Sequence, residues 1–126
     1  MSKRRTPSLL RCWAEIDLKA IRHNARVATA VSQCGLIAVI KANGYGLGAV
    51  QVARELAGEV KMFGVATVGE ALELRAAGIE TPVLLLGARV PDERETVVRE
   101  GFVPCVSSVS EARVWDALAR RKRKAP

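Results

Sequence analysis

Short apolar runs recur along this chain, and each is followed by a segment whose apolar side chains lie three and four positions apart. Leu36 to Ile40 is the first unbroken run, and the absence of polar alternation predicts a strand covered on both faces. Met62 to Val65, Val83 to Leu86 and Phe102 to Val106 are the next three. After them, Val52, Ala53 and Leu56, then Ala71, Leu74 and Ala77, and finally Val114, Ala117 and Leu118 fall on single helical faces. Pro91, with Asp92 and Glu93 in a first turn where the macrodipole favours acids, opens a further helix to about Glu100. Four strands, each followed by a helix, predict parallel pairing through right-handed crossovers. A doubly wound sheet satisfies this pattern, and so does part of an eight-stranded barrel, which needs about 250 residues in full.

The helix starts carry their own signals. Thr67-Val68-Gly69-Glu70 and Ser108-Val109-Ser110-Glu111 both have the S/T-x-x-E form of a capping box, and Gly78 is placed to stop the helix after Ala77. Upstream, Cys12 to Ile16 alternates apolar and polar residues and reads as a short strand. Asp17 suits the N-cap of a helix running to about Ser32, with Leu18, Ile21, Ala25 and Ala28 on its core face.

Composition then excludes several classes. At 126 residues and 49 % apolar, the chain is of domain size and too apolar for intrinsic disorder. No apolar run approaches the roughly 18 residues needed to cross a bilayer, and no signal-peptide core follows Met1 to Pro7, so a cytoplasmic protein without membrane partners is expected. The formal charge of +7 suggests nucleic acid at first sight. Eight of the positive charges, however, are Lys3, Arg4, Arg5 and the run Arg120 to Lys124; removing them leaves −1 for the body between. The ends therefore read as solvated, with residues 1–11 a flexible basic terminus and 120–126 a basic tail. Cys12, Cys34 and Cys105 are too few and too widely spaced for a disulfide frame or a zinc site, and His23 is the single histidine.

Ligands of parallel α/β folds bind where strands exit, and one exit stands apart. Ala38 to Gly48 takes an apolar strand, ends it on Lys41, and continues into a loop with three glycines and the single tyrosine, Tyr45. An ammonium at the mouth of an apolar strand is partly desolvated, which disfavours its charged form and makes the neutral amine available to a carbonyl. The same residues also read as a strand ending in solvent and a glycine turn. Neither GxxxxGK[ST] nor GxGxxG is present, which argues against nucleotide binding.

Ile40-Lys41-Ala42-Asn43-Gly44-Tyr45-Gly46-Leu47-Gly48 resembles the pyridoxal-phosphate attachment motif of the alanine racemase family, usually seen as KANAYGHG. Trp13 to Leu18 with Ala20, Ile21 and Asn24 resembles the family's opening segment. Gly69-Glu70-Ala71 with Leu74-Arg75 and Gly78-Ile79 is similar to its second helix, and Pro82 to Gly87 to its third strand. Gly44 stands in place of the usual alanine and Leu47 in place of the usual histidine, departures that bear on cofactor affinity.

The resemblance implies the N-terminal half, about four β/α units, of a TIM-type (β/α)8 barrel spanning residues 12–119, preceded by a short strand and helix. It implies that Lys41 carries pyridoxal 5'-phosphate as an aldimine and exchanges a proton at the α-carbon of alanine. Tyr45 would bind the cofactor phosphate and Leu86 would pack near the site. Asn43 reads as a loop-shaping residue and Arg89 as solvated. The family also uses a tyrosine from the partner subunit of a homodimer, a stacking histidine and later arginines; Tyr45 is already assigned, and His23 lies in the first helix. These residues are therefore expected to be a fragment, inactive alone, of an enzyme that supplies D-alanine for peptidoglycan. A pyridoxal-phosphate racemase of another amino acid, and a non-catalytic module binding acidic partners, are the competing readings.

Overall fold

The computed structural model describes residues 12–124; the expected N-terminal basic segment, 1–11, and residues 125–126 lie outside the described residues. Helix α1 (Leu18–Ser32) comes first, followed by β1 (Ile37–Val39), a five-residue helical turn α2 (Lys41–Tyr45) and α3 (Ala49–Leu56). Strand β2 (Met62–Val65), α4 (Val68–Ala76) and β3 (Val83–Leu85) continue the alternation. A 3-10 turn at Pro91–Glu93 leads into α5 (Arg94–Glu100), then β4 (Val103–Pro104) and α6 (Val109–Lys124). The strands form one parallel sheet in the order β1-β2-β3-β4, with Phe63 paired to Ala38 and Val83, and Leu84 to Val103.

Local signals account for the helix ends. The Asp17 carboxylate accepts the N–H of Ala20 at 3.1 Å, which starts α1 where expected. Thr67 and Glu70 form the complete reciprocal capping box of α4. Ser108 Oγ accepts the N–H of Glu111 at 3.1 Å at the start of α6.

Register decides what each sheet face does. Phe63, Val65, Val83 and Leu85 point to one face and are buried together with Val52, Leu56, Leu74, Val97 and Trp115 from the helices. The opposite face carries Ile37, Val39, Met62, Gly64, Leu84 and Val103, which share a side by strand pairing. Ile37 is 48 % exposed and Val39 39 %, so β1 is covered on its helical side only and not on both, as its apolar run predicts. An apolar run identifies a strand meant for burial without requiring its cover to lie within the same residues.

Four other expectations change. Cys12 to Ile16 forms no strand and is exposed, because no strand among the described residues offers it a ladder. In α1, Ala28 is exposed and no residue is fully buried; Leu18, Ile21 and Ala25 pack only partly on the core. In α6 the buried anchor is Trp115, while Val114 and Ala117 face outward, a rotation of the expected face by about one residue. Arg120 to Lys124 does not end that helix as a tail but continues it. Arg120 pairs with Asp116 at 2.9 Å, and Lys122 donates to the carbonyls of Val98 and Arg99 in the last turn of α5.

Candidate active site

Strand β1 delivers Lys41 to the rim of the sheet. Ile40 is buried and donates its N–H to Gly64 at 2.9 Å, which ties this exit to β2; Lys41 is half-buried directly after it. The chain then turns with the opposite hand to an ordinary helix. Ala42 (φ 51, ψ 51), Asn43 (φ 54, ψ 44) and Gly44 (φ 63, ψ 37) are consecutive left-handed residues, and Tyr45 follows at φ 54. Each non-glycine residue there costs roughly 1–2 kcal/mol of steric strain, so the turn persists only if its surroundings hold it.

The holding bonds are specific. Gly44 donates to the Ile40 carbonyl at 2.8 Å, and the carbonyl of Asn43 accepts from Gly46 at 3.2 Å and Gly48 at 2.9 Å. Asn43 Oδ1 accepts the N–H of Ala49 at 2.9 Å, so this side chain shapes the loop and joins it to the start of α3. At Gly44, an added Cβ would lie 3.2 Å from the Ala49 nitrogen. The glycine in place of the family's usual alanine therefore relieves both this crowding and the strain of positive φ. Leu47, in place of the usual histidine, is exposed.

Glu70 fastens the turn from the neighbouring unit. Its Oε1 accepts the N–H of Ala42 at 2.7 Å, while Oε2 accepts those of Ala66 at 2.7 Å and Thr67 at 3.1 Å. Burial pushes this carboxyl up, but the three amides and the nearby Lys41 ammonium outweigh that effect and hold it below the usual glutamate range. The capping-box spacing identifies Glu70 as a helix-start residue; its reach to Ala42 carries no sequence signal, because the two lie 28 positions apart.

Arg89 is corrected from solvated to half-buried, with only 8 % of its side chain exposed. Its Nη2 donates to the carbonyls of Ala66 and Leu86, both at 2.9 Å, and Nη1 lies 3.6 Å from Glu93. Two carbonyls turned inward at adjacent strand exits supply the partners that hold this cation out of water.

Lys41 and Leu86 flank the exit of β2: Leu86 donates its N–H to Val65 at 2.8 Å, beside the bond from Ile40 to Gly64. Gly64 lies between them on the open sheet face, with Val39 and Leu86 side chains 3.3 and 3.6 Å from where its Cβ would stand. Tyr45 is 62 % exposed at the rim. Neither the Lys41 amine nor the Tyr45 hydroxyl has a hydrogen bond or ion pair among the described residues, so both are free for a carbonyl and a phosphate. An amine can bond a carbonyl carbon and a phenol hydroxyl can donate to a phosphate oxygen, so the chemistry of the two groups suits a ligand carrying both. His23 is exposed on α1, away from any strand exit, and the cysteines are unpaired. No metal-binding cluster and no helix long and apolar enough to cross a membrane occurs among the described residues.

Comparison with known proteins agrees with this architecture. Residues 16–126 match the family model described as alanine racemase, N-terminal domain. The chain is 58 % identical over 110 residues to an alanine racemase of Pseudomonas fluorescens, covering 86 % of this chain and 31 % of the relative. It is 42 % identical over 111 residues to that of Geobacter sulfurreducens, covering 86 % and 29 %. Among solved structures, alanine racemase from Clostridium difficile 630 superposes with a TM-score of 0.81 at 32 % identity, covering 92 % of this chain and 31 % of that one. A Bartonella henselae alanine racemase with covalently bound pyridoxal phosphate gives 0.76 at 36 % identity, covering 86 % and 31 %. This chain thus spans a little under a third of the length of these relatives, and its four parallel β/α units correspond to half of a TIM-type barrel. With an inverted turn after Lys41, an open apolar sheet face and this agreement in sequence and shape, the chain belongs to the alanine racemase N-terminal domain family.

Proposed function

We propose that these residues form the cofactor-attachment part of an alanine racemase that interconverts L- and D-alanine and so supplies D-alanine for peptidoglycan. The observation that carries this reading is the left-handed turn after Lys41, a strained arrangement that leaves the Lys41 amine and the Tyr45 hydroxyl unengaged at one strand exit. Strain of this kind, held by several specific bonds, belongs to sites where position matters more than local stability.

Lys41 would be the residue that holds pyridoxal 5'-phosphate, and its amine would take or return the proton at the α-carbon of the amino acid from one face. When bound, the cofactor serves as the electron sink for the charge left on that carbon. Tyr45 would donate its O–H to the phosphate, and Leu86 would add apolar surface at the exit of β3 that excludes water. A second acid/base group, for the opposite face, would come from a partner subunit of a homodimer.

The test is to mix the 126-residue chain with pyridoxal phosphate, reduce with borohydride and map the modified lysine by peptide mass spectrometry. Preferential labelling of Lys41, abolished by Lys41→Ala, is the expected result. Labelling spread evenly over Lys19, Lys61 and Lys41 would remove the assigned role.

A further inference from the structure

Glu70 and Thr67 begin α4 after β2, and Glu111 and Ser108 begin α6 after β4, so one sequence device occurs at two strand exits. The two glutamates use their second oxygen differently. Glu111 spends its contacts locally, Oε2 accepting from both the N–H and the hydroxyl of Ser107 at 2.9 Å. Glu70 caps its helix with Oε2 and turns Oε1 across the rim to the N–H of Ala42, next to Lys41. Helix capping alone does not call for that additional bond.

Arg89 reaches the same place from the other side. The peptide unit between Ala66 and Thr67 is held at both ends: its N–H is accepted by Glu70 at 3.1 Å and its carbonyl accepts from Arg89 at 2.9 Å. Arg89 also binds the carbonyl of Leu86. A continuous set of charge-assisted hydrogen bonds therefore runs from the exit of β3, through the exit of β2, to the residue after Lys41 at the exit of β1. Bonds to ionised groups are roughly twice as strong as neutral ones, and a peptide polarised from both ends strengthens each of them.

We propose that Glu70 and Arg89 are positioning residues that act as one brace through the Ala66–Thr67 peptide, holding the left-handed turn that presents Lys41 to a carbonyl ligand. The carbonyl-ligand part rests on the proposed role of Lys41; the brace itself does not. A carboxylate is required at position 70 because three N–H donors converge on it from two sides. An amide there has a single acceptor oxygen, and its NH2 would face a donor.

The experiment uses the 126-residue chain with two readouts: the ratio of borohydride-trapped pyridoxal phosphate at Lys41 to that at exposed Lys19, and the hydrogen-exchange rate of the Ala42 amide. Glu70→Gln is expected to lower the labelling ratio about tenfold and to speed Ala42 exchange by a similar factor, the effect of losing one bond to a charged group. Thr67→Ala removes the cap hydroxyl and keeps the carboxylate, so both readouts should stay within about twofold of the parent chain. Equal losses in Thr67→Ala, or no change in Glu70→Gln, would overturn the brace. Glu70→Asp, which keeps the charge but is one methylene shorter, is read in the same way if Glu70→Gln does not fold. Adding Arg89→Met to Glu70→Gln should cause little further loss, whereas multiplied effects would remove Arg89 from the brace. If the parent chain does not favour Lys41 over Lys19, the cofactor reading fails; Ala42 exchange then still decides for or against the brace.

Discussion

The carboxylate of Glu70 accepts the backbone N–H of Ala42 at 2.7 Å, joining the first turn of one β/α unit to the lysine-bearing turn of the unit before it. Through this bond a helix cap also supports backbone in a conformation that L-residues avoid. Glu70→Ala removes three amide partners at once and is expected to cost about 1–2 kcal/mol. Urea denaturation followed by far-UV circular dichroism measures it, and an unchanged midpoint would contradict the role.

Acid should loosen the same contact. Because folded Glu70 is held below the usual glutamate range, the unfolded chain binds this proton more readily than the folded one. Its stabilisation is complete above the unfolded value of about 4.3 and declines as pH falls through the lower folded value. Protection of the Ala42 amide should decrease over that acidic interval in the parent chain, and Glu70→Gln should lose the dependence.

Gly44 makes a prediction of the opposite kind, since the family's usual residue there is expected to be harmful. At φ +63 and with the Ala49 nitrogen 3.2 Å from an added Cβ, Gly44→Ala should destabilise the chain by about 1 kcal/mol. A higher denaturant midpoint for the alanine variant would show that lowered freedom of the unfolded chain outweighs the native strain.

The two faces of the sheet should respond unequally. Phe63 is fully buried on the helical side, and Phe63→Ala is expected to cost about 3–5 kcal/mol. Ile37 is 48 % exposed on the other side, so Ile37→Ala should cost less than about 1 kcal/mol. Comparable losses in thermal melts would mean that both faces are equally covered in solution.

Much of this is legible in the sequence for physical reasons that can be named. Met62 to Val65 matches its predicted strand because a short apolar run between Lys61 and the helix cap at Thr67 has few other uses. Asp17 and Thr67 mark helix starts because capping is a contact over three residues and so is written locally. Cys12 to Ile16 shows the limit: alternation specifies what a strand would bury, but a strand needs a neighbour. Val114 and Trp115 show another, since a helical period tolerates a one-residue rotation when a large aromatic ring competes for the core.

By itself the sequence determined the parallel β/α alternation, the helix caps, the exceptional exit at Lys41 and the resemblance carried by Lys41 to Gly48, all of which are properties of neighbouring residues. Only the tertiary structure decided that the turn after Lys41 is left-handed, that Glu70 reaches Ala42, that Arg89 is half-buried between Ala66 and Leu86, and that one sheet face stays open. Those features depend on which strand exits stand side by side. A local pattern specifies a carboxylate or a guanidinium, whereas Ala42 for Glu70 and Ala66 for Arg89 lie more than 20 residues away and meet them only once the sheet has formed.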